Sequence, residues 1–267
     1  MYAWRKHKGK SEPVWEELPV PPTPHDGFLV KLLASGEDRP NFNEKYILGH
    51  EGCGEIIEIG EGVKDSRFKL GDKVALLAVP GCGLESCTEC SRDLSQLCSV
   101  GMHHGIGQDG FYAEYTVVNA RAAIPLPEGI PPAVAAVATD AVTTVYHGIT
   151  RRAEVKKNET VFLFGLGGLG FNALQIVRHI GARVIVSDVR QEKLDAALHL
   201  GVPAGDIVPI GKSVQSFVQE KGLQGTIDTV LDIVGKHQTF EDAQQIGRFG
   251  NLKTTWAAHS SGNKIDN

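Results

Sequence analysis

The sequence lacks any apolar run long enough to cross a membrane. Its longest such run, Ala133 to Ala138 with its neighbours, falls far short of the ~20 residues that a membrane span requires. No charged-then-apolar leader opens the chain, so we expect no secretory signal and a cytosolic protein. Positive charge is not in excess either, because the net charge is -5 and the pI is about 6.1. These absences argue against nucleic acid or a membrane as the main partner.

Cysteine is scarce, but its distribution is uneven. Five cysteines occur in 267 residues, and all except Cys53 fall in one short segment: Cys82, Cys87, Cys90 and Cys98. In a reducing compartment such clustering indicates a metal more often than disulfides. Four thiolates can surround one tetrahedral Zn²⁺ and leave no coordination position open. The segment therefore predicts a structural zinc site.

The hydrophobic pattern changes between the two halves of the chain. The first half predicts a compact β-barrel-like domain of short strands at residues 28–33, 53–60 and 71–77. In the second half, strands at 160–164, 183–188, 206–210 and 228–235 alternate with helices at 169–180 and 192–200, which predicts a parallel α/β sheet. The tail from 254 to 267 is polar with little strand character. The strand at 228–235 is therefore the last that the pattern predicts.

A glycine-rich loop follows the first strand of this sheet. Gly165, Gly167 and Gly170 match G-x-G-x-x-G between a strand and a helix, the context that a dinucleotide-binding loop requires. With Gly168 and Leu169 they form the predicted contact with the pyrophosphate. A carboxylate at the end of the second strand, Asp188, can accept hydrogen bonds from the adenosine ribose and would repel a 2′-phosphate. NAD is therefore favoured over NADP.

Several motifs occur in an order that resembles one known family. The segments are residues 49–51 (Gly-His-Glu), the cysteine cluster, residues 109–115 (Asp-Gly-Phe-Tyr-Ala-Glu-Tyr) and the glycine-rich loop. Together they resemble the zinc-containing alcohol dehydrogenases of the medium-chain dehydrogenase/reductase family. The resemblance implies an α/β protein, with a GroES-like β-barrel catalytic domain at 1–150 and a truncated Rossmann domain at 151–267. It implies Zn²⁺ and NAD as cofactors and a small alcohol or aldehyde as substrate.

The same resemblance assigns roles to individual residues. His50 is similar to the imidazole ligand of the catalytic zinc, Glu51 to the adjacent carboxylate, and Asp140 to a third ligand. Thr144 would lie under the nicotinamide, and Lys193 would touch the adenosine ribose. In the family, zinc lowers the pKa of the bound alcohol so that the alkoxide can transfer hydride to NAD⁺. The pair His103 and His104 matches no motif, and we expect it on the surface.

The sequence departs from the family pattern in two places. Family members place a catalytic cysteine ligand after the segment that matches Ala34, Ser35 and Gly36, but this chain continues with Glu37 and Asp38, which could substitute as oxygen ligands. The family also continues with further Rossmann strands and a dimer edge beyond the point where this pattern stops. The resemblance therefore describes a form with an internal deletion and a truncated C-terminus.

These departures leave three hypotheses about function. The leading hypothesis is a zinc-dependent alcohol dehydrogenase that uses NAD. The second is a zinc-free enone or quinone reductase that uses NAD(P)H, and the third is a catalytically impaired form that binds a nucleotide or a partner protein. Homo-oligomerisation and the identity of the alcohol stay open.

Overall fold

The computed structural model describes residues 1–36, 45–101 and 103–247, together with the backbone of 253–256. The chain forms two compact units, Met1–Asp140 (unit 1) and Ala141–Asn267 (unit 2). The domain boundary expected after residue 150 lies inside unit 2. Within the described ranges, every helix is too short or too polar to span a lipid bilayer.

Unit 1 is built from short strands, most of which pair antiparallel; the two-residue strands His103–His104 and Gly107–Gln108 pair in parallel. The strands are β1 (Tyr2–Lys6), β2 (Val14–Glu17), β3 (Gly27–Gly36), β4 (Tyr46–Ile47), β5 (Glu51–Ile59), β6 (Lys73–Leu76), β7 (His103–His104), β8 (Gly107–Gln108), β9 (Tyr115–Asn119) and β10 (Ala123–Pro125). A five-stranded sheet has the order β10-β6-β5-β3-β9, and a three-stranded sheet has the order β2-β1-β4. Buried side chains such as Phe28, Ile56 and Phe111 form the core of this unit. The strands predicted at 28–33, 53–60 and 71–77 correspond to β3, β5 and β6.

The register between β3 and β5 determines where the ends of these long strands meet. The pairing shifts twice, between Leu29 and Val30 and between Leu32 and Ala34, so that Gly36 lies opposite Glu51. Such irregularities bend a strand and change the direction of the side chains that follow. Helix α1 (Pro132–Val137) begins with a proline at its first position and packs Ala135 and Ala136 against Cys53.

Unit 2 contains a parallel sheet, which confirms the predicted α/β class. Its strands are β11 (Thr160–Phe164), β12 (Arg183–Ser187), β13 (Thr229–Asp232) and β14 (Lys253–Trp256), in the order β12-β11-β13-β14. Its helices are α2 (Thr143–His147), α3 (Gly168–Ile180), α4 (Gln191–His199), α5 (Val214–Glu220) and α6 (His237–Ile246). Two separate buried clusters contact alternate side chains of β11: Val161 and Leu163 belong to one, Phe162 and Phe164 to the other. A strand that is buried on both faces produces the continuous apolar run seen in the sequence.

Two expectations about this sheet were wrong. The segment 206–210 forms no regular strand; it contributes an isolated bridge between Val186 and Ile207. Asp206 lies instead in a 3-10 helix, where its carboxylate accepts hydrogen bonds from two guanidinium nitrogens of Arg183, Nε and Nη2. The segment that was expected to be tail-like begins with β14, which pairs in parallel with β13 from Thr229 to Asp232. The strand at 228–235 is therefore not the last.

Candidate functional site

The four clustered cysteines come together in unit 1, as the sequence predicts. Their sulphur atoms all lie within 4.8 Å of one another, and they form the one group of three or more potential metal ligands in the described part of the chain. The Sγ atoms of Cys82 and Cys90 are 3.7 Å apart, and those of Cys87 and Cys98 are 3.8 Å apart. A tetrahedron with about 2.3 Å from zinc to each sulphur has edges of about 3.8 Å. The residues therefore fit a four-thiolate zinc ion.

Backbone amides favour the metal-binding thiolate form of one member of this cluster, Cys98. The N–H groups of Cys82 and Gly101 donate to the Sγ of Cys98, at 3.4 and 3.2 Å. These donors, with Cys82 contributing most, lower the pKa of the Cys98 thiol to about 6. A thiol with such a pKa is largely a thiolate at neutral pH, which is the form that binds metal.

A second pair of candidate ligands meets elsewhere in unit 1. His50 immediately precedes β5, and Asp140 lies in a π-helical segment, Ala138–Val142. The Nε2 atom of His50 is 3.0 Å from Oδ2 of Asp140, with side-chain exposures of 9% and 40%. An imidazole nitrogen and a carboxylate oxygen are both zinc ligands, and a partly exposed carboxylate leaves the pair accessible.

Glu51 is buried beside this pair, but its carboxylate points towards Gly36. A Cβ atom added to Gly36 would lie only 2.0 Å from Oε2 of Glu51, so a larger residue at this position would displace the buried carboxylate. Glu37 and Asp38, the candidate substitute ligands, lie outside the described residues. The contact between His50 and Asp140 accordingly brings together two side chains whose atoms are able to bind zinc.

In unit 2, the glycine-rich loop has the shape that a dinucleotide requires. Gly165 has a φ of 87°, and a Cβ at Gly170 would lie 2.0 Å from the carbonyl oxygen of Gly165. A Cβ at Gly167 or Gly168 would meet nothing within 4 Å, so the surface of the loop is open for a ligand. Leu169 is in the first turn of α3, which has 13 residues and begins without a side-chain cap. Its first amides can thus receive a phosphate.

Asp188 connects this loop to the end of β12. Its Oδ2 accepts a hydrogen bond of 2.7 Å from the N–H of Leu166, and its Oδ1 accepts one of 2.9 Å from the N–H of Arg190. The Nζ of Lys193 lies 5.7 Å from the centre of the Phe171 ring, at the start of α3. The structure therefore brings the acidic residue to the glycine turn and places Lys193 beside the same helix. Thr144 lies in α2 of this unit.

His104 is not the surface residue that the sequence suggests. It is buried, its ring stacks on Phe111 at 5.2 Å, and its Nδ1 is 2.9 Å from the carbonyl oxygen of Asp109. Burial lowers the pKa of His104, and the partly buried His103 shows the same direction for the same reason. Two adjacent histidines carry no periodic signal from which this burial could have been recognised.

Comparison with known proteins agrees with this architecture. Residues 25–128 match the family described as alcohol dehydrogenase GroES-like domain, and residues 168–254 match the one described as zinc-binding dehydrogenase. The two segments together span more than two thirds of the chain. The chain belongs to the zinc-containing alcohol dehydrogenases of the medium-chain dehydrogenase/reductase family, and it is an oxidoreductase.

The individual relatives described next are each less than 30% identical to this chain. The chain is 28% identical over 244 residues to L-threonine 3-dehydrogenase of Edwardsiella ictaluri, covering 86% of this chain and 69% of the relative. Acetophenone reductase from Geotrichum candidum, solved in complex with NAD, is 29% identical with a TM-score of 0.80, covering 92% of this chain and 72% of that one. The alcohol dehydrogenase of Aeropyrum pernix is 27% identical with a TM-score of 0.80, covering 94% and 77%.

Proposed function

We propose that the protein is a zinc-dependent, NAD-linked alcohol dehydrogenase that transfers hydride between a small alcohol and its carbonyl product. The observation that carries this proposal is the contact between His50 and Asp140. Residues 90 positions apart bring an imidazole and a carboxylate to 3.0 Å, next to the buried Glu51. Such a pair has the chemistry to hold a reactive zinc in addition to the four-cysteine zinc.

His50 and Asp140 would hold the catalytic metal, and Cys82, Cys87, Cys90 and Cys98 the structural one. When bound, the catalytic zinc supplies a Lewis acid that lowers the pKa of an alcohol hydroxyl. The protein's part is to keep the Nε2 of His50 directed at the site. The partly exposed carboxylate of Asp140 leaves room for a substrate beside it.

The coenzyme would bind on unit 2 through the glycine loop. The pyrophosphate would approach Gly167 and Gly168, where no side chain obstructs it, and would face the uncapped amides at the start of α3. Asp188 and Lys193 would contact the adenosine ribose, and Thr144 would lie near the nicotinamide. NAD supplies the hydride acceptor when it is bound.

The names of the relatives point to one class of alcohol. L-threonine 3-dehydrogenase is named for a substrate with a secondary hydroxyl, and acetophenone reductase for a ketone. We therefore propose a secondary alcohol and its ketone as the substrate pair. A reducing compartment such as the cytosol would keep the cysteines available for metal.

The test combines metal content with turnover. Protein purified without added metal is measured for zinc per chain, and NADH formation is then followed with panels of secondary and primary alcohols. About two zinc ions per chain and faster turnover of secondary alcohols would support the proposal. NADPH-dependent reduction of an enone by protein with one zinc would instead establish the zinc-free reductase. Absence of any turnover by protein that contains two zinc ions would refute the dehydrogenase proposal.

A further inference from the structure

The carboxylate that would select the coenzyme has a cation beside it. The Nε of Arg190 lies 3.6 Å from Oδ1 of Asp188, and the same oxygen accepts the backbone N–H of Arg190. The Asp188 side chain is only 7% exposed, whereas that of Arg190 is 51% exposed. The negative charge of Asp188 is therefore partly balanced at the point where it would face a ribose.

The guanidinium of Arg190 keeps donors available for a ligand. Its Nε is 3.8 Å from Oε1 of Glu192, a side chain that is 66% exposed. Within the described ranges, the Nη groups of Arg190 make no hydrogen bond. A planar guanidinium with free Nη donors can bind a phosphate with two parallel hydrogen bonds.

From this geometry we infer that Arg190 forms a 2′-phosphate subsite, so that the protein binds NADP(H) as well as NAD(H). This inference rests on the proposed coenzyme site, because it assumes that the adenosine ribose lies at Asp188. Asp188 alone would repel a 2′-phosphate, whereas Arg190 would attract it from within ion-pair distance of the same carboxylate. Discrimination between the two coenzymes is then modest.

The experiment compares dissociation constants for NADH and NADPH by fluorescence titration of the full chain. Wild type should bind NADPH within about 100-fold of NADH. In Arg190→Gln the affinity for NADPH should fall about tenfold while that for NADH changes less than about twofold, as expected for the loss of one charge-assisted contact. The matched control is Arg67→Gln, because Arg67 also pairs with an aspartate two residues earlier, Asp65, but lies in unit 1.

A second measurement tests the contribution of the 2′-phosphate to binding without the nicotinamide half of the coenzyme. Adenosine 2′,5′-bisphosphate should bind less tightly to Arg190→Gln than to wild type, and adding salt should reduce that difference because it screens exposed charges. If wild type binds NADH and the ratio of the two constants is the same in Arg190→Gln and in Arg67→Gln, the inference about Arg190 is wrong while the proposed function stands. If wild type binds neither coenzyme, both fail.

Discussion

The Nε2 atom of His50 lies 3.0 Å from Oδ2 of Asp140, across 90 residues of sequence. One residue adjoins the start of β5 and the other lies in the π-helical segment after α1. No local sequence motif contains both residues, so their meeting is a property of the fold of unit 1. Substitution of either residue is the most direct test of the proposed catalytic site.

Replacing either member of this pair should abolish turnover without unfolding the protein. We expect His50→Ala and Asp140→Asn each to lower kcat/KM at least about 100-fold, because each would remove a proposed zinc ligand. Zinc should fall from about two ions per chain to about one. Steady-state kinetics and elemental analysis measure the two effects. Asp195→Asn, which makes the same change at an exposed helical position, should leave both unchanged; equal activity in Asp140→Asn and Asp195→Asn would contradict the assignment.

The stability of the protein should depend on the metal that the cysteine cluster binds. Cys98→Ser should lose one zinc and lower the free energy of unfolding by several kcal/mol, since structural zinc supplies about 10–16 kcal/mol in zinc-finger peptides. A chelator should lower the melting temperature of wild type but not of the variant. The control is Cys53→Ala, at a buried cysteine that packs against Ala75, Ala135 and Ala136. It should retain full zinc, and loss of zinc from this control would show that the four-cysteine assignment is incomplete.

Alanine substitutions at two glycines of the coenzyme loop should have different effects, one on stability and the other on NADH binding. Gly170→Ala forces a Cβ to within 2.0 Å of the Gly165 carbonyl oxygen, so the helix must move at a cost of about 1–3 kcal/mol in stability. Gly167→Ala meets no protein atom within 4 Å and should preserve stability. Its methyl group should nevertheless weaken NADH binding, because it occupies the side from which the pyrophosphate approaches. Thermal unfolding and NADH titration measure the two effects; tight NADH binding by Gly167→Ala would place the coenzyme elsewhere.

Burial of His104 should make the stability of the protein sensitive to mild acid. Its pKa in the folded protein is below the ordinary value of 6.5, so the unfolded chain binds more protons between these two values. The free energy of unfolding should therefore decrease as the pH falls from 6.5 towards the folded-state pKa. In His104→Asn, whose amide can still donate to the Asp109 carbonyl, this decrease should be smaller. Urea unfolding at pH 7.5 and pH 5.5 tests the difference; an equal decrease in both proteins would disprove it.

The sequence predicts those parts of the fold that have a strong local signal. The apolar run 160–164 is β11 to the residue, and Gly181 ends α3 in a left-handed conformation, as a C-capping glycine does. The segment 206–210 has the composition of a strand, but Asp206 is held by Arg183 in a 3-10 helix. The strand β14 was not predicted. It is the last strand in the sheet order β12-β11-β13-β14. Its sequence is polar and lacks the continuous apolar pattern of a central strand.

The candidate site likewise has parts that the sequence predicts and parts that it does not. The cysteine cluster and the glycine loop are local in sequence, and they were predicted from their spacing and, for the loop, from the strand and helix that flank it. The roles of His50 and Asp140 came from resemblance to a family, because no spacing rule relates residues that are 90 positions apart. The cation beside Asp188 was not recognised at all, since Arg190 in the sequence is one basic residue among the 27 lysines and arginines.

The hydrogen bond from the Leu166 N–H to Asp188 forms within the protein itself and holds the glycine turn against the end of β12 without a nucleotide. The conformational entropy of ordering this turn is lost during folding and not during association. We therefore expect the coenzyme to dock on a largely preformed surface, at an encounter rate that depends mainly on diffusion and on the charges around the loop.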